Sequence, residues 1–133
     1  MQVTYWNQQL ETLSRRELEQ LQLTRLREVV SSALKTPFYQ KRLSKAGIAS
    51  ADEIRSIEDL QRIPFAVKDD LRQAFPKGLL AVDMQEVVRI HSSSGTTGVP
   101  TVIYYTREDL DRWTDLLARS IVATGAGPAD VFQ

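Results

Sequence analysis

The sequence contains no cysteine, which excludes a disulfide framework, a thiolate nucleophile and a thiolate metal site. It also lacks an excess of either charge. Seventeen Lys and Arg residues balance seventeen Asp and Glu, so no basic field exists to hold nucleic acid or an acidic membrane surface. Long apolar runs are missing too. The longest covers a handful of residues around Leu79 to Val82, far short of the roughly 20 that a spanning helix needs. Residues Met1 to Gln9 have neither a basic start nor an apolar stretch, so they do not read as a secretory signal, and a cytoplasmic location is expected. Histidine occurs once, as His91, and a lone imidazole makes no metal site. It reads as a structural or loop-positioning residue rather than a catalytic one.

What remains is an ordinary globular composition. With 133 residues, 42% of them hydrophobic and 26% charged, the chain suits one domain with a modest core. Residues 1–86 read as helices separated by clear punctuation. Ser14-Arg15-Arg16-Glu17 has the hydroxyl and carboxylate spacing of a capping box. Leu18, Leu21, Leu26, Val29 and Ala33 follow on one helical face, with Glu17, Gln20, Thr24, Arg27 and Glu28 opposite. That pattern predicts an amphipathic helix of about 20 residues, stopped by Thr36-Pro37. Pro37 opens a second helix through Tyr39 and Leu43 to Gly47. Further starts lie at Ser50–Glu53 and Ser56–Asp59, and residues 68–75 read as another short helix. Its acidic residues Asp69 and Asp70, beside Lys68, are assigned to the helix dipole rather than to a site. Tyr5, Trp6, Phe38 and Tyr39 read as packing residues between helices.

The texture changes after residue 86. Two β-branched runs, 87–91 and 101–106, bracket Ser92-Ser93-Ser94-Gly95-Thr96-Thr97-Gly98, which packs five hydroxyls and two glycines together. Glycine permits positive φ and a close approach of ligand to backbone, converging N–H groups form an anion-binding concavity, and hydroxyls donate to oxygens. A polyphosphate is the natural occupant, and the two runs are expected to pair antiparallel around a long connection. Thr106 and Asp109 then cap a final helix, whose expected buried stripe is Leu110, Trp113, Leu117 and Ile121, with Asp115 and Arg119 as an i,i+4 pair. Residues 129–133 read as the opening of a further strand, and stopping there is the pattern of a piece of a larger protein.

Three phosphate or nucleophile motifs are excluded. No lysine follows Gly98 as in G-x-x-x-x-G-K-[ST], no third glycine completes a dinucleotide fingerprint, and G-x-S-x-G is absent. The run Ser93-Ser94-Gly95-Thr96-Thr97-Gly98-x-Pro100 instead resembles the phosphate-binding motif of the adenylate-forming enzymes, the acyl- and aryl-CoA synthetases and their relatives. Arg89-Ile90-His91, Pro100-Thr101-Val102, Tyr105-Thr106, Asp109 and Trp113 resemble the phenylacetate–CoA ligase branch of that family. So do Thr36-Pro37-Phe38-Tyr39, Ile63-Pro64-Phe65, Lys68-Asp69-Asp70-Leu71-Arg72 and Phe75-Pro76. The similarity runs from about residue 5 to the end. Two positions depart from the pattern: Thr101 stands where the general motif has lysine, in which it resembles this branch rather than the wider family, and Val99 stands where members of the branch often carry a polar residue or lysine.

The resemblance implies an α+β architecture, the N-terminal part of the large domain of an adenylate-forming enzyme, with 1–86 a helical region and 87–133 the start of the ATP-binding core. It implies an AMP-forming aryl-acid–CoA ligase, phenylacetate being the first choice of acid, with ATP, Mg²⁺ and coenzyme A as cofactors and substrates. Ser93, Ser94, Gly95, Thr96, Thr97 and Gly98 are the implied phosphate-binding residues, and no catalytic or metal-ligating residue is identified. Nucleic-acid and membrane partners are not expected, and uncovered apolar surface leaves a homodimer open. The alternatives are a same-branch ligase for another acid and a non-catalytic nucleotide-binding piece. In every case the 133 residues alone are expected to be inactive.

Overall fold

A computed structural model describes residues 5–94 and 100–131. The N-terminal segment forms a one-turn helix α1 (Gln8–Glu11), which the sequence reading missed. Asn7 Oδ1 accepts from the Leu10 amide at 3.1 Å, and Glu11 Oε1 accepts from the Asn7 amide at 2.7 Å. These bonds satisfy donors that a helix start leaves open. Helix α2 (Arg15–Leu34) begins at the expected capping box, with Ser14 Oγ accepting from Glu17 N and Glu17 Oε2 accepting from Ser14 N. Helix α3 (Pro37–Lys45) has Thr36 as its cap and Pro37 in its first turn, where a missing N–H costs nothing. Gly47 then takes φ +70°, the left-handed geometry that ends a helix most easily with glycine.

The two serine-led starts become short 3₁₀ turns, Ala51–Glu53 and Ile57–Arg62. They lie against α2, and here the core forms. Val30, Leu43, Ile48 and Ile54 are fully buried, with Leu23, Leu26, Leu34, Tyr39 and Ile63 packed around them. One detail of the helical stripe is corrected. Val29, expected inside, is 63% exposed, and Val30 is the buried residue. The reason is tertiary: Ile54 approaches α2 from the side of Arg27, whose Nε donates to the Ile54 carbonyl at 2.7 Å, and this turns the apolar face by one position.

Helix α4 (Lys68–Gln73) follows. Its acidic residues act structurally, as expected. Asp70 accepts from the Val67 amide at 2.9 Å and pairs with Arg42 at 2.6 Å, while Asp69 pairs with Arg72 at 3.0 Å. After a 3₁₀ turn at Met84–Glu86 come strands β1 (Arg89–Ser92) and β2 (Val102–Tyr105), then helix α5 (Arg107–Ala123). The chain is thus α+β, helices first and a two-stranded antiparallel sheet after.

Two expectations at the C-terminal end are corrected. Trp113 and Leu117 are 46% and 54% exposed, because among the described residues little besides β2 packs on α5. Residues 129–131 form no strand. The Asp130 amide donates to the Gly127 carbonyl and the Asp130 carboxylate accepts from the Gly127 amide, a local turn that meets the backbone's needs where no partner strand lies alongside. Phe132 and Gln133 lie outside the described residues.

Candidate functional site

The hairpin is the frame of the candidate site. β1 and β2 pair antiparallel in the register Arg89↔Tyr105, Ile90↔Tyr104, His91↔Ile103 and Ser92↔Val102, so the two β-branched runs flanking the hydroxyl-rich segment pair as anticipated. Of its proposed phosphate-binding residues, Ser93 and Ser94 are described and exposed; Gly95, Thr96, Thr97 and Gly98 lie outside the described residues.

One step beyond Ser92↔Val102, the neck is closed by two hydrogen bonds of different kinds. The Ser93 amide donates to the Thr101 carbonyl at 3.0 Å, as in a ladder. The return bond goes from the Thr101 amide to Ser93 Oγ, also 3.0 Å, rather than to the Ser93 carbonyl. A side chain has replaced the main chain as acceptor, and regular pairing stops there. Thr101 Oγ1 is buried and has no hydrogen-bond partner among the described residues.

Behind the neck, the hairpin rests on α5 through three rings. His91 meets Tyr105 edge-on at 4.9 Å and Trp113 at 5.5 Å, and Tyr105 stacks on Trp113 at 5.6 Å. These spacings are those of favourable aromatic pairs. His91 is thus packed structurally between the hairpin and α5. Helix α5 is started by Thr106, whose Oγ1 accepts from Asp109 N while Asp109 Oδ2 accepts from Thr106 N. It is also tied to the chain's beginning: Trp6 Nε1 donates to Asp115 at 2.8 Å, and Arg119 bridges Asp115 at 3.0 Å and Glu11 at 3.7 Å.

On the other face of the hairpin, Val102 and Tyr104 border an open groove of about 930 Å³ whose far wall includes Val29, Leu79 and Val82, with Arg112 at its rim. Neither this groove nor the Ser93 clasp was found from the sequence. The clasp had a legible signal, since antiparallel pairing around Ser94–Pro100 places Ser93 opposite Thr101. The groove had none, because its walls come from three separate stretches of the chain, around Val29, Leu79–Val82 and Val102–Tyr104.

Among the described residues no group of three or more His, Asp or Glu side chains could hold a metal ion. No described helix is long and apolar enough to cross a membrane.

Comparison with known proteins places this arrangement. No family model matches the chain. Among solved structures, 2-hydroxyisobutyryl-CoA ligase in complex with 2-HIB-AMP and CoA aligns with TM-score 0.83 and 32% identity, over 95% of this chain and 28% of that one. An open conformation of the same ligase gives TM-score 0.80 at 29% identity. The fold is that of the N-terminal part of a CoA ligase. Sequence comparison narrows the class. The phenylacetate–coenzyme A ligase of Thermus thermophilus is 48% identical over 121 residues, and that of Escherichia coli 43% over 122. The Pseudomonas putida protein of the same name is 45% identical over 122 residues. Over nine-tenths of its length the chain is homologous to the phenylacetate–CoA ligases, and it spans only 27–28% of the length of these relatives.

Proposed function

We propose that this chain is the N-terminal, ATP-phosphate-holding portion of an AMP-forming aryl-acid–CoA ligase, with phenylacetate as the acid. The observation that carries the reading is the hairpin itself: β1 and β2 pair on either side of a segment with five hydroxyls and two glycines. Phenylacetate is favoured over another acid by identities of 42–48% to ligases named for it, against 32% to the 2-hydroxyisobutyryl enzyme.

In the proposed reaction the acid's carboxylate oxygen attacks the α-phosphorus of ATP. The bond to the bridging oxygen breaks and pyrophosphate leaves, giving an acyl-adenylate. The thiol of coenzyme A then attacks the acyl carbon, loses its proton, and AMP departs with the electron pair of the broken C–O bond. The part assigned to this chain is electrostatic. Charge grows on the β- and γ-phosphates as they leave, and preorganised donors aimed there lower the barrier. Ser94, Gly95, Thr96, Thr97 and Gly98 are read as supplying those N–H and O–H donors, with Ser93 at the neck. Mg²⁺ would accompany ATP on ligands supplied from elsewhere. Residues 1–86 are read as a helical region and 87–133 as the opening of the ATP-binding core. A cytoplasmic location, where ATP and coenzyme A are at hand, and a homodimer belong to the same proposal.

The test grafts this chain in place of the matching segment of the Thermus thermophilus ligase and follows ATP–pyrophosphate exchange. Gly95→Ala and Gly98→Ala are expected to reduce exchange more than Ser94→Ala, because a Cβ obstructs close phosphate approach whereas one lost hydroxyl among several is replaced by water. Unchanged exchange in both glycine variants would sink the phosphate-cradle reading.

A further inference from the structure

The bond from the Thr101 amide to Ser93 Oγ separates Ser93 from the other hydroxyls of the run. We propose that Ser93 is a positioning residue: its side chain fixes the separation of the two strands at Ser93 and Thr101 rather than reaching phosphate. This deepens, and rests on, the phosphate-holding reading above.

The argument is geometric. In an antiparallel pair that exchanges both main-chain bonds, each amide donates to the opposite carbonyl. Ser93 and Thr101 keep one such bond, at 3.0 Å, and replace the other by a side-chain bond of the same length. The substitution has two consequences. It ends the regular exchange of main-chain bonds at Ser93 and Thr101. It also holds the Thr101 amide in place without the Ser93 carbonyl, which is released from the ladder. The neck sits on a braced base, because His91, two residues earlier, is packed on Tyr105 and Trp113. An oxygen lone pair that accepts from Thr101 still leaves the hydroxyl proton free to donate, but its direction is fixed by the clasp. A threonine keeps that oxygen on an extended backbone; an alanine does not.

The experiment has two arms. In the first, amide hydrogen exchange of the ¹⁵N-labelled 133-residue chain is compared for wild type, Ser93→Ala and Ser93→Thr. The clasp predicts about tenfold faster exchange at the Thr101 amide in Ser93→Ala, as befits loss of one exposed hydrogen bond. Ser93→Thr should restore it, with the amides of Leu43 and Ile54 unchanged throughout. In the second arm, the same variants are measured for ATP–pyrophosphate exchange in the grafted ligase. A positioning role predicts a rate loss in Ser93→Ala that Ser93→Thr recovers, together with a change in KM for ATP smaller than that caused by Ser94→Ala. Unaltered Thr101 exchange in Ser93→Ala overturns the clasp. Loss of protection with full ligase activity overturns its functional half. If Thr101 responds as predicted while Gly95→Ala and Gly98→Ala leave activity intact, the clasp stands and the phosphate reading falls.

Discussion

Arg42 shows how one side chain joins elements that the sequence keeps apart. Its Nη1 donates to the Phe65 carbonyl at 2.8 Å, its Nη2 pairs with Asp70 at 2.6 Å, and its guanidinium lies 4.2 Å from the centre of the Phe38 ring. The group is about one-third exposed, so solvent screening reduces the charge pair, and the fixed fork of donors matters more than the charge. Arg42→Leu is expected to cost about 1–2 kcal/mol, with Arg42→Lys recovering less than half, as read from urea denaturation. Thr101 points the other way. Its buried hydroxyl lacks a partner among the described residues, and replacing an unsatisfied polar group by an apolar one of the same shape removes a desolvation cost. Thr101→Val should leave the melting temperature unchanged or raise it; a clear drop would mean that the hydroxyl is bonded in solution. His91 is tested by light. In a Trp6→Phe background only Trp113 emits, and His91→Ala should shift its emission to the red while His91→Phe retains it. Identical spectra would show that the ring trio does not form.

At the scale of elements, capping bonds hold the helix starts. The Glu17 carboxyl is held below its ordinary value of 4.5, first by the Ser14 hydroxyl and then by the Ser14 amide. Asp59 is held below 3.8 by the Arg55 amide, then by the Arg62 guanidinium and the Ser56 amide. A carboxylate whose folded value is depressed contributes its stability in full above the unfolded value and loses it as pH falls through the folded one. Helical circular dichroism and melting temperature are therefore expected to be insensitive to these groups from neutral pH down to about 5, and to decline as pH falls through and below about 4. Ser14→Ala should lower stability by about 1 kcal/mol at neutral pH and weaken the acid decline. An unchanged acid profile in that variant would remove the capping box as its cause. The caps were legible because each is written within four residues. The face of α2 was legible only to within one position, since Val30 rather than Val29 is inward and the approach of Ile54 decides which.

Taken whole, the molecule is unevenly covered. Among the described residues the fully buried side chains all lie between Val30 and Ile54. Apolar surface is open instead on the hairpin and α5, where Ile90, Ile103, Trp113, Leu116 and Leu117 are each about half exposed. Such a surface drives association. Sedimentation of the 133-residue chain is expected to show concentration-dependent self-association from micromolar upward, reduced by Trp113→Ser with Leu117→Gln; a strict monomer over that range would overturn this. The isolated chain should also form no thioester from ATP, Mg²⁺, phenylacetate and coenzyme A, since transition-state stabilisation needs groups acting together, and steady product formation would refute it.

The sequence alone determined the features that are local in the chain. The helix starts at Ser14, Thr36 and Thr106 and the stop at Gly47 each follow from residues within a few positions of one another, and the pairing of the two β-branched runs and the family resemblance from short motifs read in order along the chain. Capping bonds, backbone permissiveness and β-branching act over such distances. Only the tertiary structure decided that Trp6 reaches Asp115, that Arg42 gathers Phe65 and Asp70, that Ser93 bonds the Thr101 amide through its side chain, and that Trp113 and Leu117 on the stripe of α5 stay half exposed. Each of these depends on which surfaces meet. An apolar stripe announces that a helix has a face to bury, but not whether this part of the chain supplies the surface that buries it.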